Sequence, residues 1–149
     1  MADPLYLEDF PAGTRFTSGL RKVTAENIIA FAREFDPQPF HVDPAAAEKS
    51  VFQGLAASGW HTASLTMRLF VDSVLIRTQG AVGLGIDRLR WHRPVRPGDV
   101  LSSEVEILDS RPSSSQAGKG VVRFRVKTMN GTGEPVLSLE GAMLVPRRP

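Results

Sequence analysis

From Trp60 to about Ile76 the chain carries one long apolar segment at helical spacing, and everything after Gly80 is patterned as strand. Ala63, Leu65, Met67, Leu69, Phe70, Val71, Val74 and Leu75 leave that segment little polar surface, so a largely enclosed helix is expected there. Arg68 and Asp72, four residues apart, can satisfy each other at one edge. Downstream, Ala81 to His92 reads as a strand and Pro94-Val95-Arg96-Pro97-Gly98-Asp99 as a turn. Leu101, Ser103, Val105 and Ile107 alternate with Ser102, Glu104 and Glu106, the period of a half-buried strand. After a Ser-, Pro- and Gly-rich loop from Arg111 to Gly120, Val122, Phe124 and Val126 alternate with Arg123, Arg125 and Lys127. A turn region from Asn130 to Pro135 leads to a last strand from Val136 to Val145. One enclosed helix followed by consecutive antiparallel strands is an α+β arrangement, an antiparallel sheet wrapped around a long central helix. With 149 residues and no repeat or interdomain linker, residues 1–149 are expected to form one domain.

The upstream half is denser in local signals. Residues 5–13 read as a lead-in with a turn at Pro11-Ala12-Gly13, and Thr14 to Val23 as a first strand. Thr24 is a good N-cap with Glu26 in the first turn, and Ile28, Ile29, Phe31, Ala32 and Phe35 then recur at helical spacing. That helix runs into Asp36-Pro37-Gln38-Pro39-Phe40-His41. Proline disfavours the α conformation in the residue before it, so Phe35 and Asp36 are expected to close the helix and Gln38 to be extended. A fully extended run would hold Asp36 and His41 roughly 15 Å apart, so cooperation between them needs a turn back, which two fixed φ angles favour. A carboxylate and an imidazole facing one gap can share a water and move protons near neutral pH. At a helix C-terminus the dipole disfavours a carboxylate, so the Asp36 pKa is expected to shift upward. As a bare string, the segment also fits an exposed Asp-Pro turn followed by a solvated histidine. Asp43-Pro44 then opens a short helix through Ala45, Ala46 and Ala47 to about Ser50, and Gly54 and Gly59 bracket the loop before the long helix.

Together, Asp36-Pro37-Gln38-Pro39-Phe40-His41 and the stretch from Phe52 to Trp60 resemble the MaoC-like dehydratase family, which includes the (R)-specific enoyl-CoA hydratases. There a D-x-N-P-x-H motif is followed, after a short helix, by a glycine at the start of the central helix. Asp36 and His41 match the catalytic pair with the spacing kept, and Gly59 falls where the oxyanion-hole glycine lies. Gln38 stands in place of Asn, and Met67 lies near where some hydratases have a serine, with Ser64 as a neighbour. The likeness spans roughly residues 10 to 146. It implies a hotdog fold, pairing into a homodimer or higher homo-oligomer, and sites near the subunit interface. The implied activity is hydration of a 2-enoyl-CoA or acyl-carrier-protein thioester, or its reversal. Asp36 and His41 would hold the water and provide base and acid, and the Gly59 N–H would receive the thioester oxygen. Gln38, Phe40, Ser58, Trp60, Arg88, Arg90 and Arg93 are the expected substrate-binding residues. No cofactor is implied, coenzyme A being part of the substrate. Two rivals stay open: a hotdog acyl-CoA thioesterase, which needs Asp36 but can manage without His41, and a non-catalytic acyl-thioester-binding protein, which Gln38 in place of Asn would suit.

Composition narrows the remaining classes. The chain has no cysteine, hence no disulfide framework, thiol nucleophile or Cys-ligated metal. His41, His61 and His92 form no H-E-x-x-H or other ligand cluster, and no metal site is expected. No G-x-S-x-G surrounds Ser58, Ser64 or Ser73, and Gly83-Leu84-Gly85 lacks the context of a dinucleotide loop. His61, one turn inside the long helix, is read as a packing or a substrate-lining residue, with packing favoured, and His92 as an exposed strand-end residue. The first residues lack a signal-peptide pattern and no apolar run reaches about 18 residues, so a cytoplasmic protein with no membrane partner is expected. Net charge is +2 but divides into −3 over residues 1–74 and +5 over residues 75–149. No nucleic-acid motif accompanies this basic half. Most of this charge is read as solvated arginines on exposed strand faces, with some of Arg88, Arg90, Arg93 and Arg96 expected to meet the phosphates of a thioester carrier.

Overall fold

The computed structural model describes residues 2–149. Among these are four helices and six strands. Two short strands, β1 (Arg15–Thr17) and β2 (Arg21–Lys22), come first. The single strand expected over Thr14–Val23 is interrupted because Ser18 departs from the ladder pattern. Its backbone N–H donates to Ser103 O at 2.9 Å and its hydroxyl accepts from Ser103 N at 2.7 Å. Helix α1 (Ala25–Phe35) follows, its N-cap Thr24 accepting a hydrogen bond from Asn27 N, and Asp36 is its C-cap. A four-residue helix, α2 (Pro39–Val42), begins on Pro39 after an extended Gln38. Helix α3 (Pro44–Glu48) is capped by the Asp43 side chain, which accepts from Ala45 N. The long helix α4 (Gly59–Ser73) is capped by Ser58, and a short 3-10 turn at Leu75–Arg77 replaces its expected last turn.

The remaining chain is β3 (Val82–Trp91), β4 (Val100–Pro112), β5 (Lys119–Met129) and β6 (Pro135–Pro146). All pairings are antiparallel, in the order β1-β4-β5-β6-β3, with β2 also on β4. The alternation read from the sequence is the one that packs. Leu101, Val105 and Ile107 of β4 and Val122, Phe124 and Val126 of β5 point inward and are buried. Both strands reach further than expected into the loop between them, which shrinks to residues 113–118.

Helix α4 lies on this concave face. Leu65, Leu69 and Phe70 are buried against it, with Phe70 edge-on to Phe124 at 5.0 Å between ring centroids. A buried hydroxyl chain ties the layers together: Thr66 Oγ1 of α4 is 2.8 Å from Thr128 Oγ1 of β5, which is 2.7 Å from Ser103 Oγ of β4. The expectation of a largely enclosed helix needs correction. Trp60, Ser64, Met67, Arg68 and Asp72 form an exposed stripe on α4, because the sheet covers one side of the helix and nothing else among the described residues covers the other. Arg68 and Asp72 pair on that stripe at 2.9 Å. Among the described residues, no helix is long and apolar enough to cross a membrane.

Candidate active site

The two prolines bring the acid and the imidazole together. Asp36 ends α1, and the chain folds back through a bond from Gln38 N to Asp36 O at 2.8 Å. Pro39 then starts α2 with a φ already suited to a helix. His41 N donates to Gln38 O at 2.9 Å, which fixes that turn. As a result Asp36 Oδ2 lies 3.4 Å from His41 Nε2, far inside the extended-chain limit and close enough for one point beside them to reach both.

The histidine is buried and its tautomer is determined. His41 Nδ1 is 2.6 Å from Ala56 O; a carbonyl only accepts, so Nδ1 carries the proton. In neutral His41 the free lone pair is therefore on Nε2, facing Asp36. The ring is held between Phe40, edge-on at 4.6 Å, and Phe52 at 5.9 Å between centroids.

The Asp36 carboxyl is set by opposing influences. Burial raises its pKa, but hydrogen bonds from the Ser58 hydroxyl and from Gln38, with the charge of His41, outweigh this and hold it below the ordinary aspartate value. The Gln38 bond is short, Nε2 to Asp36 Oδ1 at 2.6 Å. The upward shift expected from the helix terminus is thus overturned, since direct donors to the charged form outweigh the dipole of one helix end.

Asp36 and His41 open into a cavity of about 460 Å³. Of the residues expected to bind substrate, Gln38, Phe40, Trp60 and Arg93 line it, as does Gly59, the first residue of α4. The Gly59 N–H belongs to the helix turn whose donors have no partner within the helix. Ser58 is fully buried behind Asp36 rather than in the wall, and its oxygen also accepts from Trp60 N at 3.3 Å. Arg93 pairs with Glu134 at 3.1 Å on the cavity rim. Arg88 and Arg90 are not brought here. They line a separate hollow of about 250 Å³ on the outer face of the sheet, where Arg88 meets Glu140 at 3.6 Å. Arg96 is turned inward, donating to the carbonyls of Phe52 and Gly54. Met67 and Ser64 lie on the exposed stripe of α4, where the Ser64 hydroxyl donates to Trp60 O at 2.8 Å.

Sequence reasoning had set His61 and His92 apart from the dyad. His61 is buried, stacked on Phe31 at 4.8 Å between centroids, and does not line the cavity. His92 is exposed at the end of β3, as expected, yet it lines the cavity mouth and has Nε2 2.7 Å from Ser138 Oγ. Phe52, Thr62 and Trp91 also line the cavity and were missed, as was the Ala56 carbonyl that fixes His41. A backbone acceptor has no residue signature, and Trp91 reaches the site from 32 residues away. Among the described residues, no group of three or more His, Cys, Asp or Glu is placed to hold a metal ion.

The profile of the family described as MaoC like domain matches residues 11–130. The chain is 49% identical to the crystallised MaoC-like dehydratase from Rhodospirillum rubrum, with a TM-score of 0.91 over 97% of this chain and 99% of that one. It is 31% identical to the uncharacterised protein YdeM of Bacillus subtilis, across 95% of this chain and 99% of that protein. It is also 28% identical to a protein of Methylorubrum extorquens named 3-hydroxybutyryl-CoA dehydratase, across 97% of this chain and 86% of the relative.

Proposed function

The chain belongs to the MaoC-like dehydratase family and has its hotdog fold, and from that premise we propose that it adds water to the double bond of a 2-enoyl thioester, or removes it in reverse, with Asp36 and His41 as the acid–base pair. The observation that carries this reading is the approach of Asp36 Oδ2 to His41 Nε2, 3.4 Å apart at the wall of one cavity.

The chemistry follows from the protonation states. With Nδ1–H committed to Ala56 O and Asp36 ionised, the resting pair can only accept a proton. A water hydrogen-bonded to both gives one proton to His41 Nε2 as its oxygen bonds to the β-carbon. The π electrons move onto the thioester oxygen, whose charge the Gly59 N–H at the helix start would receive. The imidazolium Nε2–H then returns the proton to the α-carbon as the enolate collapses. Asp36 stays anionic throughout, holding the water and favouring the transient imidazolium. Base and acid duties thus alternate on His41, rather than base duty falling to Asp36 as the sequence alone suggested.

The likeness to the Methylorubrum extorquens protein supports a CoA thioester as substrate, with an acyl-carrier-protein thioester as the other carrier of the same chemistry. Arg93, on the cavity rim, is the arginine best placed for the carrier. Arg88 and Arg90 reach it only if its tail crosses to the outer face of the sheet. We place the activity in a homodimer or higher homo-oligomer, for which the uncovered edge of β3 is the support. The test is to mix the protein with a panel of 2-enoyl-CoAs and follow double-bond loss and free thiol together. Hydration removes the double bond without releasing thiol. Thiol release identifies a thioesterase, and binding with neither change identifies a non-catalytic acyl-thioester-binding protein.

A further inference from the structure

We propose that Trp91 is a positioning residue for the oxyanion donor, holding the first turn of α4 so that the Gly59 N–H keeps one orientation. The inference rests on the hydratase reading above and adds a residue to it. Trp91 Nε1–H donates to Gly59 O at 2.8 Å. A carbonyl in the first turn of a helix is already matched by the N–H four residues on, so the indole supplies a second donor to that oxygen. The ring also packs onto the Gly59 α-carbon. A Cβ at position 59 would stand 2.7 Å from both Cε2 and Nε1 of Trp91, closer than real side chains approach. Only glycine leaves room for this contact, so the ring and the glycine define each other's place.

The indole is itself held. Trp91 pairs with Leu137 in the β3–β6 ladder, and His92 N donates to Val136 O at 2.8 Å just beyond it. Trp60 meets the ring edge-on at 5.4 Å and 83°. A strand anchored in the sheet thus reaches across to the helix terminus and fixes it from outside the helix. Trp91 remains 45% exposed and lines the cavity, so its ring serves the cavity wall rather than the core. A donor that stabilises developing charge is effective when it is fixed before the reaction begins, and displacement of a reacting geometry lowers the rate.

The test compares Trp91→Phe, which keeps a ring on Gly59 but removes the N–H, with Trp91→Ala, which removes both. Activity and the ¹⁵N order parameter of the Gly59 amide, which a change of ring current leaves alone, are measured in each, with wild type alongside. The expected result is a fall in kcat of about 10-fold for Trp91→Phe and more for Trp91→Ala, with KM within about 2-fold and the Gly59 order parameter lowered. Unchanged kcat or an unchanged Gly59 order parameter in Trp91→Phe overturns the proposal. A rise in KM at constant kcat also overturns it, making Trp91 a substrate contact. If wild type hydrates no enoyl thioester, the hydratase reading falls by itself and the Gly59 order parameter decides: lowered in Trp91→Phe supports positioning, unchanged ends it. If Trp91→Ala does not fold, Trp91→Phe carries the comparison alone.

Discussion

Asp36 and His41 face each other at 3.4 Å, and the surroundings of the carboxyl set its charge state. The carboxyl lies below its ordinary value, because burial is outweighed by the donors Ser58 and Gln38 and by the charge of His41. Its ionised form therefore contributes stability above the unfolded pKa of 3.8, a contribution lost as pH falls through the lower folded value. At neutral pH the carboxylate is present, 3.4 Å from His41 Nε2. Asp36→Asn keeps the size and some hydrogen bonding but removes the charge, while His41→Ala removes the imidazole proposed as proton carrier. Each is expected to lower hydratase kcat by about 10²-fold or more, the scale of general acid–base groups, with the circular dichroism spectrum retained. Near-wild-type turnover in either variant would sink the assignment. His61 has the opposite character, that of a buried imidazole outside the chemistry. Burial, with a smaller contribution from Arg21, pushes its pKa below 6.5, and its Nδ1 has no hydrogen-bond partner. The unfolded chain thus takes up a proton at higher pH than the folded one. Stability from His61 is complete above about pH 6.5 and declines as pH falls toward the folded value. The melting temperature of wild type is expected to fall more steeply between pH 7 and 5 than that of His61→Leu. Parallel curves would show that His61 does not titrate during unfolding.

Among the elements, the junction between α4 and the sheet depends on polar groups as well as apolar ones. Thr66, Thr128 and Ser103 are 2% exposed or less, and their hydroxyls satisfy one another across three elements. Thr128→Val keeps the shape but leaves Thr66 and Ser103 facing a methyl group. A loss of about 2 kcal/mol is expected, since buried groups left unsatisfied bear their desolvation cost. For a domain of this size that corresponds to roughly 6 °C in Tm by calorimetry, and a change within error would mean the neighbours find other partners. Ser103 was legible as an inward position of β4 from alternation alone, but its partners were not, because α4 and β5 meet it only in three dimensions. The same division runs through the chain. The Thr24 and Asp43 caps, the closing of α1 at Phe35 and the inward faces of β4 and β5 follow from local patterns, and all are present. Helix α2 was not foreseen, since four residues are too few to show a period. The sign of the Asp36 shift was misread because its donor Ser58 lies 22 positions away, behind the carboxyl and invisible to helix-end reasoning. Gly59 was legible as a helix start, whereas the indole that requires glycine there was not.

On the scale of the whole molecule, the uncovered surfaces lie side by side. β3 forms one end of the sheet, paired on one side to β6 and with its other edge free among the described residues. Val82, Leu84 and Ile86 on it are 57%, 53% and 50% exposed, and a bulge at Leu84 puts Val82, opposite Leu144, and Ile86, opposite Gly141, on different faces of the strand. Beside it the outer stripe of α4 exposes Met67, and an apolar cleft of about 350 Å³ lined by Met67, Phe70 and Ile86 runs between helix and strand. A long, apolar, unpaired edge strand is a liability for a chain that stays single, since its free N–H and C=O groups invite another strand. An antiparallel pairing of β3 with β3 of a second copy would satisfy those groups and cover exposed apolar side chains of the strand. It would also reach the active site, because Trp91, at the end of the same strand, contacts Gly59. Sedimentation at micromolar concentration is therefore expected to show a species of at least twice 16.3 kDa. Leu84→Arg replaces one of these exposed apolar side chains with a charge on each copy. It is expected to yield monomers that keep their circular dichroism but lose most hydratase activity, because the strand carrying Trp91 is left without its support. A wild-type protein that sediments only as 16.3 kDa would remove the pairing. A Leu84→Arg protein that remains dimeric would move the contact away from β3.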